Sequence, residues 1–123
     1  MKTPQQHTGA QGENAARQYL ETKGYRILHE NWRKGQYEID LIARFAQLLI
    51  FVEVKTRSYN PLVEPYKAVT RSKQQSLLTA AKSYVTITEC TDEIRFDVVT
   101  VIAKGAENQI EHIEDAFRAY VGR

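Results

Sequence analysis

A chain of 123 residues suffices for one hydrophobic core, and folding at this size buries roughly two thirds of the surface that the unfolded chain exposes. With 42% hydrophobic and 26% charged residues, six Gly and three Pro, the composition excludes disordered, collagen-like and low-complexity classes, while a net charge of +2 neither demands nor excludes nucleic acid. The longest wholly apolar stretch, Leu48 to Val52, is far below the ~20 residues that span a bilayer, and Met1 to Gln6 has no signal-peptide apolar region, so a cytoplasmic protein with no membrane contact is expected.

Residues 1–8 read as a flexible lead-in within a single domain, 1–123. Thr8 and Gln11 stand at capping-box spacing and Gly24 suits a left-handed C′ position, which predicts a helix over Gly9 to Lys23. Its apolar side is Ala16, Tyr19 and Leu20, and one turn earlier the same stripe holds Glu13. Either Glu13 is a first-turn acid facing the helix dipole or it is a carboxylate aimed at the core side. Tyr25 to Trp32, Tyr37 to Arg44 and Leu48 to Lys55 are rich in β-formers and predict a three-strand meander, with Arg33-Lys34-Gly35 as its first turn. Leu48 to Val54 is apolar on both faces except at Glu53, as a central strand covered by helices on both sides would be. A polar loop, Ser58 to Pro65, precedes a helix over Ser72 to Val85, drawn by Leu77, Leu78, Ala81, Tyr84 and Val85. Ile94 to Ile102 returns as a strand, and Gln109 to Ile113 suits either a helix or an edge strand before a short helix. The expected class is α/β, a single-domain mixed sheet flanked by helices in the order helix, three strands, helix, strand.

The chemistry concentrates in Glu38-Ile39-Asp40 and Glu53-Val54-Lys55. Residues two apart on a strand share a face, so Glu38 accompanies Asp40 and Glu53 accompanies Lys55. A four-residue hairpin loop, Phe45 to Leu48, places Asp40 opposite Glu53 and Glu38 opposite Lys55. A two-residue loop at Phe45-Ala46 keeps the parity with a shift, and a three-residue loop reverses it unless a bulge restores it. Two carboxylates brought together at a buried sheet repel each other unless a cation intervenes. Mg²⁺ or Mn²⁺ takes oxygen ligands, and Asp40, Glu53 and the main-chain carbonyl of Val54 supply three. Lys55 would orient or deprotonate the attacking water or stabilise phosphorane charge; the competing reading is a local salt bridge between Lys55 and either acid.

These residues carry a resemblance. Asp40 and Glu53-Val54-Lys55 on consecutive strands, with Glu13 on a preceding helix, are similar to the PD-(D/E)XK nuclease core, which has the restriction-endonuclease-like sheet topology. More closely, Gly12-Glu13-Asn14-Ala15-Ala16, Gly24-Tyr25-Arg26-Ile27-Leu28, Asn31-Trp32-Arg33, Glu38-Ile39-Asp40-Leu41-Ile42-Ala43, Phe51-Val52-Glu53-Val54-Lys55-Thr56-Arg57 and Arg95-Phe96-Asp97-Val98-Val99 resemble the YraN-like family of predicted endonucleases, bacterial relatives of archaeal Holliday junction resolvases. The resemblance implies that Asp40 and Glu53 bind metal, that Lys55 is the catalytic lysine and that Glu13 approaches the metal from the helix. It departs at Tyr37, where Gly is common, and at Arg44-Phe45-Ala46-Gln47, where an Asp-Gly type turn is common.

The implied function is a Mg²⁺- or Mn²⁺-dependent endonuclease on DNA phosphodiesters, with branched or repair intermediates as candidate substrates. The alternative is a non-catalytic nucleic-acid-binding or repair-accessory protein that retains the fold. Arg33, Lys34, Arg57, Lys67, Arg71, Lys73 and Lys82 are candidate phosphate contacts, with Lys73 at a helix start best placed, followed by Arg57 and Arg33. Two-strand cutting needs two sites, so a homodimer is expected by symmetry and resemblance. Asp97 reads as a structural ion pair with Arg95, and His7, His29 and His112, which lack metal-ligand spacing, read as surface residues. The single Cys90 closes no intrachain disulfide.

Overall fold

The first helix, α1, spans Pro4–Thr22 and opens on a proline, the residue whose missing N–H costs nothing at a first helical position. The structure, a computed structural model, describes residues 4–59, 62 and 69–118. The helix therefore begins before the expected Gly9: residues 4–8 form its first turns, and residues 1–3 lie outside those described. It stops where anticipated, because Gly24 adopts φ 94° and the Tyr25 amide donates back to the Leu20 carbonyl at 3.0 Å.

Three antiparallel strands follow, β1 (Arg26–Lys34), β2 (Tyr37–Phe45) and β3 (Leu48–Ser58). The helix α2 (Arg71–Thr88) then crosses over to β4 (Glu93–Lys104), which pairs parallel with β3 from Leu48↔Glu93 to Ser58↔Ala103. The open question at the C-terminal end resolves as an antiparallel edge strand, β5 (Glu107–Ile113), and the sheet order is β1-β2-β3-β4-β5. Most of the loop expected over Ser58 to Pro65 lies outside the described residues, as does Lys67.

Each sheet face buries its own cluster. Ala16 and Leu20 of α1 pack on Leu41, Ala43, Ile50, Val52, Val99 and Val101, and Leu77, Ala80, Ala81 and Tyr84 of α2 pack on Ile42, Leu49, Phe51 and Phe96. The central strand β3 is accordingly buried without interruption from Leu49 to Glu53, the two-sided burial expected from its apolar run. This is a single small α/β domain, a mixed five-stranded sheet flanked by two helices, consistent with the restriction-endonuclease-like core.

Candidate active site

The β2–β3 hairpin adopts the register that aligns Asp40 with Glu53, but closes through a tighter loop than the four residues expected. Phe45 pairs with Leu48, leaving Ala46-Gln47 as the turn. Ala46 takes φ 54°, a left-handed conformation that costs a residue with a Cβ about 1–2 kcal/mol and that the residues of an Asp-Gly type turn adopt more cheaply.

Main-chain pairing then ends at Leu41↔Val52, one step before Asp40 would meet Glu53. Beyond it, Oδ2 of Asp40 accepts the Val54 amide at 2.8 Å, so a side chain takes the place of the ladder. Ile39 and Ile42, which regular alternation would put on opposite faces, join the same cluster, and Asn31 on β1 has φ 51°; the strand alternation breaks at Asp40. Glu38, expected opposite Lys55, pairs instead with Arg33 of β1 at 3.0 Å.

The parting strands leave two carboxylates in a poorly solvated notch. Glu53 is 4% exposed, and burial, then the charge of Asp40, push it up to about 7. Burial also raises Asp40, opposed by the Val54 amide and by a hydrogen bond with Glu53. Lys55 Nζ lies 3.4 Å from Glu53 Oε2, and Lys73 Nζ, arriving from α2, lies 3.9 Å from the same oxygen. Oε1 of Glu53 is buried with no hydrogen-bond partner. Both the charge on Lys55 and that on Lys73 favour the ionised carboxylate, yet they do not outweigh burial.

Glu13 reaches this notch because α1 lies unusually close to β3. A Cβ on the buried Gly12 would collide with Thr56 Oγ1, an approach that only glycine permits. Since α1 starts at Pro4, Glu13 is not a first-turn residue, and the dipole explanation fails. Burial and then Asp40 raise its carboxyl, and a hydrogen bond with Asn31 opposes them.

Asp40 and Glu53, with an orphaned Oε1, suit a hard divalent cation. The Val54 carbonyl leaves β3 on the same edge as the amide that meets Asp40. Among the described residues no three His, Cys, Asp or Glu side chains converge as a ligand set, so Glu13 neighbours the pair without completing one.

Of the expected phosphate contacts, Lys73 turns into the notch, Arg33 is exposed beside Glu38, and Arg57 follows Lys55 on β3 with its Nε buried and unpartnered. Arg71 and Lys82 are exposed on α2.

A second polar centre lies on the α1 face. The Arg95 guanidinium grips Asp97 with two bonds of 2.8 Å, as the strand spacing predicts, and also donates to the Tyr25 hydroxyl at 2.9 Å. The expectation that His112 is a surface residue is overturned: its side chain is 3% exposed, Nε2 lies 2.7 Å from Asp97 Oδ2, and Tyr19 and Tyr25 meet its ring edgewise. The available signal was Ile110, which shares a strand face with His112 and packs on the core. Burial alone would raise Asp97, but His112, Arg95 and the Asp115 amide outweigh it and hold the carboxyl below its ordinary value. His29 is exposed with its ring edge toward Tyr84, and His7 lies outside the described side chains. No helix among the described residues is long and apolar enough to cross a membrane.

Comparison with known proteins agrees with the motif pattern. The Uncharacterised protein family UPF0102 matches residues 12–101, a span from Gly12 through most of β4. A UPF0102 protein of Bacteroides fragilis is 45% identical over 109 residues, covering 89% of this chain and 90% of its own. One from Parabacteroides distasonis is 45% identical over 115 residues (94% and 95%), and one from Prosthecochloris aestuarii 45% over 119 residues (90% and 93%). On this agreement across nearly the full length, the chain belongs to the UPF0102 family, the YraN-like group that its motifs resemble.

Proposed function

We propose that the protein is a metal-dependent endonuclease of the PD-(D/E)XK superfamily that hydrolyses DNA phosphodiesters, with branched or repair intermediates as its substrates. One observation carries the reading: Asp40 and Glu53 meet where β2 and β3 part, and the Lys55 ammonium stands 3.4 Å from Glu53 on the same strand face. A buried acid pair held this way is costly without a cation. Asp40, Glu53 and the Val54 carbonyl would hold Mg²⁺ or Mn²⁺, whose contribution is Lewis acidity toward a phosphate oxygen and toward water. Lys55 orients the attacking water or neutralises charge on the phosphate, and Glu13 closes the side of the notch toward α1. Arg33 and Arg57, on the strands flanking the notch, bind neighbouring phosphates.

Calorimetric titration with Mn²⁺ tests the metal seat, since Asp40→Asn or Glu53→Gln should abolish binding; unchanged affinity in both variants refutes it. Lys55→Ala should keep Mn²⁺ and DNA affinity while cleavage falls by about two or more powers of ten. The discriminating assay incubates junction, flap and linear DNA with Mg²⁺, Mn²⁺ or EDTA. If the wild type cuts none of them yet binds branched DNA as tightly as Lys55→Ala does, the accessory-protein reading replaces the enzyme.

A further inference from the structure

Lys73, which the sequence offers as a phosphate contact at a helix start, stands in the notch beside Glu53. The first turn of α2 is locked around it. The Thr70 hydroxyl accepts the Lys73 amide at 3.1 Å, the Gln74 amide donates to the Thr70 carbonyl at 2.9 Å, and the Gln74 side chain donates to the Val69 carbonyl at 3.3 Å. From that fixed base Lys73 reaches Glu53 Oε2, the oxygen that Lys55 also approaches from β3. Two ammonium groups from different elements thus converge on one carboxylate oxygen, whose twin, Oε1, has no partner.

A lysine serving only as a buried counter-ion would be shielded from water. Lys73 keeps 39% of its side chain exposed and Lys55 keeps 26%, so neither is shut away from solvent as a purely internal counter-ion would be. An ammonium has three donors, and at 3.9 Å Lys73 is an ion-pair neighbour of Glu53 rather than a hydrogen-bond donor to it. Two cations from different elements brought to the same carboxylate oxygen suit a tetrahedral anion.

We propose that Lys73 is a second catalytic lysine that, together with Lys55, grips the non-bridging oxygens of the phosphodiester being cut; the inference rests on the nuclease reading above. In that hydrolysis a water oxygen bonds to phosphorus and the bond from phosphorus to the 3′ oxygen breaks. The water's proton passes to solvent, and the departing 3′ oxygen takes one from solvent, leaving a 5′-phosphate and a 3′-hydroxyl. Lys73 keeps its own proton and contributes hydrogen bonds that strengthen as charge gathers on the phosphate oxygens.

The test compares wild type, Lys73→Gln and Lys73→Arg. Single-turnover cleavage at saturating DNA in Mn²⁺ should fall by about 100-fold or more in Lys73→Gln and be partly restored in Lys73→Arg, while Mn²⁺ affinity without DNA is retained. A flanking-phosphate role would instead weaken binding, lower the salt slope by about one and leave the saturated rate intact, and that result overturns the proposal. So does a variant that loses only thermal stability. Binding of inorganic phosphate to the Mn²⁺-loaded protein separates this inference from the nuclease reading. If the wild type cuts nothing but binds phosphate and Lys73→Gln does not, the seat stands and the enzyme falls; if neither binds phosphate, the seat falls as well.

Discussion

Glu53→Gln should stabilise the metal-free protein, and the gain should depend on pH. Glu53 moves from an ordinary carboxyl value of 4.5 to about 7 in the folded state. Because the folded value is raised, the native state holds a proton that the unfolded state has released between those two values, so stability falls as pH rises through that window. At 1.36 kcal/mol per unit, the shift amounts to about 3 kcal/mol lost once Glu53 is ionised, with the attraction of Lys55 and Lys73 already included. The substituted amide would imitate the protonated acid, including a hydrogen bond to Asp40, and never incurs that loss. Urea unfolding in EDTA should show variant and wild type of equal stability near pH 4.5 and the variant ahead by about 3 kcal/mol above pH 7, on the order of 10 °C in Tm. Saturating Mn²⁺ should erase most of that lead, since ligand at about a hundred times Kd stabilises only the protein that binds it by ~2.7 kcal/mol. A difference independent of pH, or a variant weaker than wild type at alkaline pH, would refute the reasoning.

Removing the buried charge at Asp97 should act in the opposite direction: Asp97→Asn leaves Arg95 and His112 without their carboxylate and should cost about 3–5 kcal/mol in denaturant unfolding at neutral pH. Because the folded value of Asp97 is lowered, its contribution is present above 3.8 and should be lost as pH falls through the folded value, so the wild-type advantage over Asp97→Asn should shrink in acid. Gly12→Ala should destabilise by about 1–3 kcal/mol through the collision with Thr56, and in a Thr56→Ala background, where Oγ1 is absent, most of that cost should vanish; equal costs in both backgrounds would rule out the contact as the cause.

The elements were legible because each rests on a local period. The apolar run from Leu49 to Val52 marks a strand covered on both faces, and the spacing of Leu77, Ala81 and Tyr84 marks a helix with one buried side. The meeting of Asp40 with Glu53 was legible for a related reason: a hairpin joins neighbouring segments, and an alternation of two leaves few registers to choose from. The ion pair of Arg95 with Asp97 followed from the same two-residue spacing. Local rules do not extend to the α1 start at Pro4, where residues with no strong apolar stripe continue a helix whose packing further along holds it to the sheet.

What lies across the fold only the tertiary structure decided. Lys73 is twenty residues beyond Glu53, and it enters the notch because the crossover through α2 to a parallel β4 brings the first turn of that helix within reach of Glu53. His112 is buried because β5 pairs with β4 beneath Tyr19 and Tyr25, contacts from distant segments that no spacing around the histidine encodes. Glu13 comes near Asp40 through the close contact of Gly12 with Thr56. The charge state of Glu53 belongs with these, since the residues that desolvate it are gathered by packing, and burial, then the charge of Asp40 brought beside it, pushes an ordinary glutamate up to about 7.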